Sequence, residues 1–423
     1  MDMRQIGLKA KAASRSLAKV TTAQKNRALE AVAAAIERES AQILEANGRD
    51  LAEARERGTK DALLDRIRLE GRLDGIVADL RSVIRLPDPV GETFDERILE
   101  NGLNVHRRRT PIGVIGVIYE NRPNVTVDVA AICIKSGNAA VMRGGSETLH
   151  SNTALVNVIH DALNEEGSLP ADSIQLITDP DRAYVLEMLR LHEFIDLIIP
   201  RGGASLHQFC RENSLIPVIT GGVGVCHVYI DESGMMEKAL PIIHNAKTQR
   251  PSVCNSLDTV LVQQEIAADA LPRIVAHLAP AGVTFRADPE ALAILRASPL
   301  GDAANTVSPA GEDDFSTEWM SLVLGLKVVH SLDEAIAHID ANSLNHSDCI
   351  ITENSEHAAR FIHEVDSSAV FVNASTRFND GGALGLGAEV AVSTQKLHAR
   401  GPMALEALTT YKWVVTGDGH IRR

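Results

Sequence analysis

Apolar residues recur at helical spacing through the first ninety or so positions. Leu29, Val32 and Ile36 share one face, Ile43 and Leu44 extend it, and Gly48 is the expected stop. The stretch from Ile98 to Arg109 is charged, carries Asn101-Gly102 as a turn signal and lacks a strong apolar face. It therefore reads as a hairpin that leaves the main core. From Gly113 the pattern alternates. Strands are predicted over Val114 to Tyr119, Ala139 to Met142, 173–178, Ile195 to Ile199 and Ile216 to Thr220. Helices are predicted over Val125 to Lys135, 148–165, 182–191 and 204–213. Repeated βαβ units imply a parallel sheet covered on both faces, and right-handed crossovers make a doubly wound α/β domain the leading architecture. A second α/β segment follows, and from Gly381 the chain turns Gly-rich and then polar and β-leaning.

Length and composition narrow the class. The 423 residues suffice for two or three domains, and 45% hydrophobic with 23% charged residues is ordinary for a globular protein. A formal charge of −14 disfavours nonspecific nucleic-acid or anionic-membrane binding. No apolar run approaches the ~20 residues of a membrane helix, and the amino end lacks the apolar core of a leader. The five cysteines form no CxxC pair, so a reducing cytoplasm suits them better than a disulfide framework. No HExxH or tight Cys/His cluster is present, and no metal site is expected.

Cys254 carries the most chemical information. It lies in Thr248-Gln249-Arg250-Pro251-Ser252-Val253-Cys254-Asn255, between the helix-like stretch Met235 to Ala246 and the β-branched run Thr259 to Val262. A thiol at the mouth of a strand, in a Pro-stiffened loop beside Arg250, is placed for nucleophilic attack. A buried structural cysteine is the competing reading. No GxGxxG follows the strand starting at Val114. Two strand-to-helix turns, Arg143-Gly144-Gly145 and Arg201-Gly202-Gly203, instead put a guanidinium and bare amides where a helix begins, which favours anions. An ordinary Gly turn with a solvated Arg is the alternative. Gly221-Gly222-Val223-Gly224 reads as a close backbone approach. The loop Gly381 to Gly387 reads as a mobile cover or a plain bend, and Lys396, His398 and Arg400 as a basic cluster.

The ordered series Pro111-Ile112-Gly113-Val114, Tyr119-Glu120-Asn121-Arg122-Pro123-Asn124-Val125, Arg143-Gly144-Gly145, Thr248 to Asn255, Val372 to Phe378 and Ser393 to Pro402 resembles the gamma-glutamyl phosphate reductase family. That family lies within the aldehyde dehydrogenase superfamily, and the likeness runs along nearly the whole chain. It implies an aldehyde dehydrogenase-like fold of two doubly wound α/β domains plus a β-type oligomerisation flap. The cofactor-binding domain would comprise 1–97 and 112–231, with about 364–380 returning to it. The catalytic domain would span 232–363, and the hairpin 98–111 with the tail 381–423 would form the flap.

The resemblance also implies roles. Cys254 matches the family nucleophile, and Asn121 or Asn124 supplies an oxyanion donor. Arg143 falls where the superfamily contacts the adenosine ribose, and Glu318 where it holds the nicotinamide ribose. Arg377, Lys396 and Arg400 are the candidate substrate cations. Val218-Ile219-Thr220-Gly221-Gly222 lacks the Glu that hydrolytic aldehyde dehydrogenases place before a Gly-Gly pair. The implied reaction is NADPH-dependent reduction of L-glutamyl 5-phosphate to L-glutamate 5-semialdehyde through a cysteine thioester, a step of proline biosynthesis. Glutamate 5-kinase is the implied functional partner, and a homo-oligomer is expected. The competing readings are a general NAD(P)-dependent aldehyde dehydrogenase using water and a noncatalytic dinucleotide-binding scaffold.

Overall fold

The computed structural model describes residues 1–221 and 223–422; Gly222 of the Gly221 to Gly224 stretch and Arg423 of the tail lie outside the described residues. The chain divides into two compact units. The first comprises 1–220, 385–391 and 402–423, and the second 221–384 and 392–401. Among the described residues, no helix is long and apolar enough to cross a membrane.

The first unit opens with helices, among them Thr22–Arg38, Ser40–Glu56 and Leu73–Arg85. Gly48 does not stop the second of these. It sits on an exposed face, and the helix runs on until Gly58, whose φ of +74° supplies the left-handed turn. The hairpin forms as β1 (Thr93–Ile98) and β2 (Asn104–Pro111), and the carboxyl-terminal strand Thr409–Thr416 pairs antiparallel with β2. Arg107 lies over the rings of Tyr411 and Trp413, 4.6 and 4.7 Å from their centroids, so a guanidinium covers aromatic surface on this sheet.

The core of the first unit is a parallel sheet of β3 (Val114–Tyr119), β4 (Ala139–Gly144), β5 (Ile174–Leu176) and β6 (Leu197–Arg201). Its order is β5-β4-β3-β6, which puts the topological switch between β3 and β6. The strand expected over Ile216 to Thr220 does not form. Pro217 has no N–H to donate, and an isolated bridge between Val218 and Ile198 is what remains.

The second unit is built on β7 (Cys226–Ile230), β8 (Leu257–Gln263), β9 (Thr284–Ala287), β10 (Val307–Pro309), β11 (Val323–Val329), β12 (Ser347–Ile351) and β13 (Ala369–Val372). All pairings are parallel, in the order β10-β9-β11-β8-β7-β12-β13. Three assignments therefore differ from expectation, one being 381–384 and 392–401, expected in the flap but part of this unit. Residues 221–231 and 364–380 both belong to this unit, because β7 pairs with β8 and β12, and β13 pairs with β12.

Two buried lysines fasten the helical layer of the first unit. Lys25 Nζ donates to Asp88 Oδ2 at 2.9 Å and to the Lys135 carbonyl at 3.2 Å, with its side chain 0% and that of Asp88 6% exposed. Lys135 Nζ donates to Asn26 Oδ1 at 2.7 Å and the Ile84 carbonyl at 2.8 Å, and burial lowers its pKa. Lys25→Met leaves Asp88 buried without its counter-ion and is expected to cost about 3–5 kcal/mol. Chemical denaturation should show that loss, with Lys25→Met/Asp88→Asn recovering most of it. An unchanged midpoint in the single variant would contradict the assignment.

Candidate active site

Cys254 sits at the amino end of β8, in a turn that follows the helix Met236–Thr248. The Ser256 N–H donates to the Val253 carbonyl at 3.0 Å, closing the turn over Cys254 and Asn255. Cys254 is partly exposed and in no disulfide, whereas Cys133, Cys210, Cys226 and Cys349 are buried. Burial pushes the Cys133, Cys210 and Cys349 thiols up to about 12, and the Cys226 thiol well up from its usual value. Of the five, Cys254 is thus the one residue that is not buried. Its carbonyl accepts the Cys226 S–H at 3.2 Å, and a Cβ on Gly224 would fall 2.2 Å from that same oxygen. The close approach expected for the glycine stretch is real at Gly224.

A slip in strand register builds the floor of the site. Cys226 pairs with Leu257 but His227 pairs with Thr259, so Asp258 is the extra residue of a bulge. Its carboxylate accepts the N–H groups of Cys226 at 3.2 Å and Trp319 at 3.1 Å, with Lys247 Nζ 3.8 Å away. Burial raises Asp258 to about 6 and lowers Lys247 to about 8. Glu318, beside Trp319, accepts the Gly224 N–H at 3.1 Å, and burial raises its carboxyl to about 7.

The three candidate substrate cations part company here. Arg377 lies in the single 3₁₀ turn Thr376–Phe378, half-buried, with Nε donating to Gln249 Oε1 at 3.1 Å. Burial lowers its pKa, and the Cys254 sulfur is among the charges it senses, together with Asp380 and Arg250. Lys396 and Arg400 instead converge on Asp366. Lys396 pairs with its carboxylate, and Arg400 donates to Oδ1 at 2.8 Å and to the carbonyl at 2.6 Å. One carboxylate thirty or more positions away thus offsets part of their charge, which the basic cluster alone did not disclose.

In the first unit, Asn121 and Arg201 follow or end β3 and β6 at the switch point. Asn121 is held at φ +51°, a region Asn tolerates. Among the described residues its side chain makes no hydrogen bond. Asn124 opens the helix Asn124–Lys135, and its Nδ2 donates to Asp128 Oδ2 at 3.0 Å. Of the two, Asn121 is the one with its amide available. Asp128, raised to about 6 by burial, was not singled out; its place one helical turn after Asn124 was the available signal.

The two Arg-Gly-Gly turns differ from the expectation of open anion sites. After the first, the helix Leu149–Glu166 has its leading amides met by Asp50: His150 N at 3.1 Å, and Ser151 N at 2.8 Å. After the second, the Gly203 N–H meets Glu120 Oε2 at 3.2 Å, and a Cβ on Gly202 would strike that carboxylate. The chain's own carboxylates already fill both amide sites. Gly144 is required by packing, since a Cβ there would lie 2.1 Å from Asn152 Nδ2, and Gly145 lies against Glu147 in the same way. Arg143 remains a candidate contact. It is buried at the carboxyl end of β4, Nη2 donates to the Pro180 carbonyl at 2.8 Å, and its Nε has no partner.

A sequence model of the Aldehyde dehydrogenase family matches residues 1–291. Gamma-glutamyl phosphate reductase of Roseiflexus castenholzii is 58% identical over 424 residues, spanning 100% of this chain and 99% of the relative. The enzyme of that name from an Enterobacter species is 57% identical over 421 residues, covering 99% and 100%. The crystal structure of gamma-glutamyl phosphate reductase from Thermotoga maritima superposes with a TM-score of 0.95 at 46% identity, covering 100% of both chains. An acetylating aldehyde dehydrogenase from Geobacillus thermoglucosidasius, 21% identical with a TM-score of 0.71 over 99% and 97% of the chains, shares the fold. Matched over most of its length by the family model, and over all of it by these relatives, the chain belongs to the aldehyde dehydrogenase family, in its gamma-glutamyl phosphate reductase branch.

Proposed function

We propose that the chain reduces L-glutamyl 5-phosphate to L-glutamate 5-semialdehyde, releasing phosphate, with Cys254 as the covalent carrier. The observation that carries this reading is the partly exposed Cys254 in an anchored turn that is hydrogen-bonded to the turn of the half-buried Arg377. The relatives of 57–58% identity bear the name of this reaction.

The Cys254 thiolate attacks the acyl carbon. Phosphate leaves as the C–O bond breaks, and the glutamyl group is held as a thioester. Covalent capture divides one difficult step into two easier ones. The Cys254 backbone N–H is the donor we assign to the developing oxyanion; one such donor commonly lowers the barrier by ~3 kcal/mol. Arg377 receives the negative charge of the phosphoryl group, which a planar guanidinium can grip through two bonds. The stretch Val218-Ile219-Thr220 carries no carboxylate where hydrolytic aldehyde dehydrogenases have a Glu before a Gly-Gly pair, so it supplies no base for hydrolysis of the thioester.

The residues present suit a nicotinamide dinucleotide, taken here as NADPH. Arg143 offers an unpartnered buried Nε at the carboxyl edge of a parallel sheet, where such folds bind ligands, and Glu318 offers a carboxylate for ribose hydroxyls. When bound, the dinucleotide supplies the hydride that takes the acyl group to the aldehyde level. Cys254 then departs as thiolate and is ready for another turnover. The flap sheet exposes Tyr411, Trp413 and Val415 on its outer strand, which suits self-association.

Cys254→Ala should reduce phosphate-dependent oxidation of the semialdehyde by at least about a thousandfold, with NADPH affinity near normal. Retained turnover would remove Cys254 from the mechanism. Glu318 provides a pH test. Burial holds its folded pKa at about 7, above the ordinary carboxyl value of 4.5, so the folded state holds the extra proton between those values. Its contribution to stability is therefore present below about 4.5 and lost as pH rises through 7. Glu318→Gln should raise the melting temperature at pH 8 more than at pH 5 while weakening dinucleotide binding at pH 8. Equal shifts at both pH values would contradict the buried carboxyl.

A further inference from the structure

The turn bearing Cys254 and the turn bearing Arg377 are more than 120 residues apart in sequence, yet they are tied reciprocally. The Thr376 hydroxyl donates to the Asn255 carbonyl at 2.8 Å. In return, Asn255 Nδ2 donates to the Asn379 carbonyl at 3.1 Å and the Arg377 carbonyl at 3.4 Å. Asn255 is 5% exposed and Thr376 0%, so neither bond competes with water. Asn379 Nδ2 anchors the far end to the His346 carbonyl at 3.1 Å and Ser347 Oγ at 2.9 Å, both at the amino end of β12. The Ser375 hydroxyl accepts the Arg377 N–H at 3.3 Å, and Gln249 holds the Arg377 guanidinium from the nucleophile's side. Arg377 is therefore braced at its amide, its carbonyl and its side chain, each time by a residue in or beside one of the two turns.

We propose that Thr376 and Asn255 are positioning residues that lock the turn of Arg377 to the turn of Cys254, so that cation and nucleophile meet an anionic acyl phosphate as one rigid pair. The inference deepens the assignment of Arg377 to the substrate and rests on it. Neither Thr376 nor Asn255 needs to touch the substrate. Their effect is on where the guanidinium stands relative to the sulfur, and displacements of about an ångström are costly at reacting centres, up to about a hundredfold in rate.

The experiment is a double-mutant cycle on phosphate-dependent semialdehyde oxidation, using Thr376→Val, Arg377→Ala and the two combined. Thr376→Val is expected to lower kcat/KM for phosphate about tenfold or more, mainly through KM, with Thr376→Ser restoring it. The combined variant should be no worse than Arg377→Ala alone, because the lock has nothing left to position. Additive losses, or a Thr376→Val protein that melts earlier but keeps wild-type kinetics, would overturn the positioning role while leaving the substrate reading intact. An Arg377→Ala protein with wild-type KM for phosphate would overturn both. Should Thr376→Val fail to fold, Asn255→Ser enters the same cycle with the same expected and contrary results.

Discussion

Asp258 is a carboxylate taken out of water at the place where β7 and β8 lose register, and its removal from water must be offset by partners. Those partners are the Cys226 and Trp319 amides and, at 3.8 Å, the Lys247 ammonium. Each belongs to a different segment. Cys226 opens β7 next to Gly224, Trp319 follows Glu318, and Lys247 ends the helix that leads into the nucleophile turn. Without the bulge, the period-two alternation of β8 would aim this side chain elsewhere, and the three segments would have no common anchor. The position of Cys254 is thus inherited from a buried charge four residues further along the chain.

The same geometry explains why the cysteine needs borrowed charge. Parallel α/β sheets usually receive ligands beyond the carboxyl ends of their strands. The first unit keeps to this, with Arg143, Arg201 and Asn121 at or just past strand ends. In the second unit Cys254, the proposed nucleophile, lies at the amino edge instead, just after the carboxyl end of the helix Met236–Thr248. A helix end of that polarity presents carbonyls and a partial negative charge, which gives a thiolate no support. In the proposed reading that charge comes from Arg377, which is half-buried and is not paired with the carboxylate that holds Lys396 and Arg400.

Much of the first sheet was legible in the sequence. The strand Val114 to Tyr119 and the helix 204–213 appear where the pattern put them, and the end of the helix before Gly167 is marked by a φ of +77°. Failures came where a distant partner decides. Gly48 looked like a stop because local propensity cannot see that its face is solvated and the helix continues. Residues 221–231 and 364–380 went to the wrong unit because neighbours in a parallel sheet are fixed by pairing across the chain. The turn that carries Cys254 was legible from its motif, but the Asn255–Thr376 tie was not, since it consists mostly of side chains addressing backbone carbonyls. The pairing of the basic cluster was not legible for a similar reason, its counter-charge Asp366 standing outside the motif.

Asp50 and Glu120 deserve a last consideration for what they prevent. An uncapped helix start in an α/β protein is a general-purpose trap for any small anion, and growing cells are rich in phosphorylated metabolites. By plugging the amides at His150, Ser151 and Gly203 with internal carboxylates, the first unit closes two adventitious perches. In the proposed reading a phosphorylated ligand is met by guanidinium groups, whose reach and orientation selection can tune one residue at a time. Backbone amides offer no such adjustment.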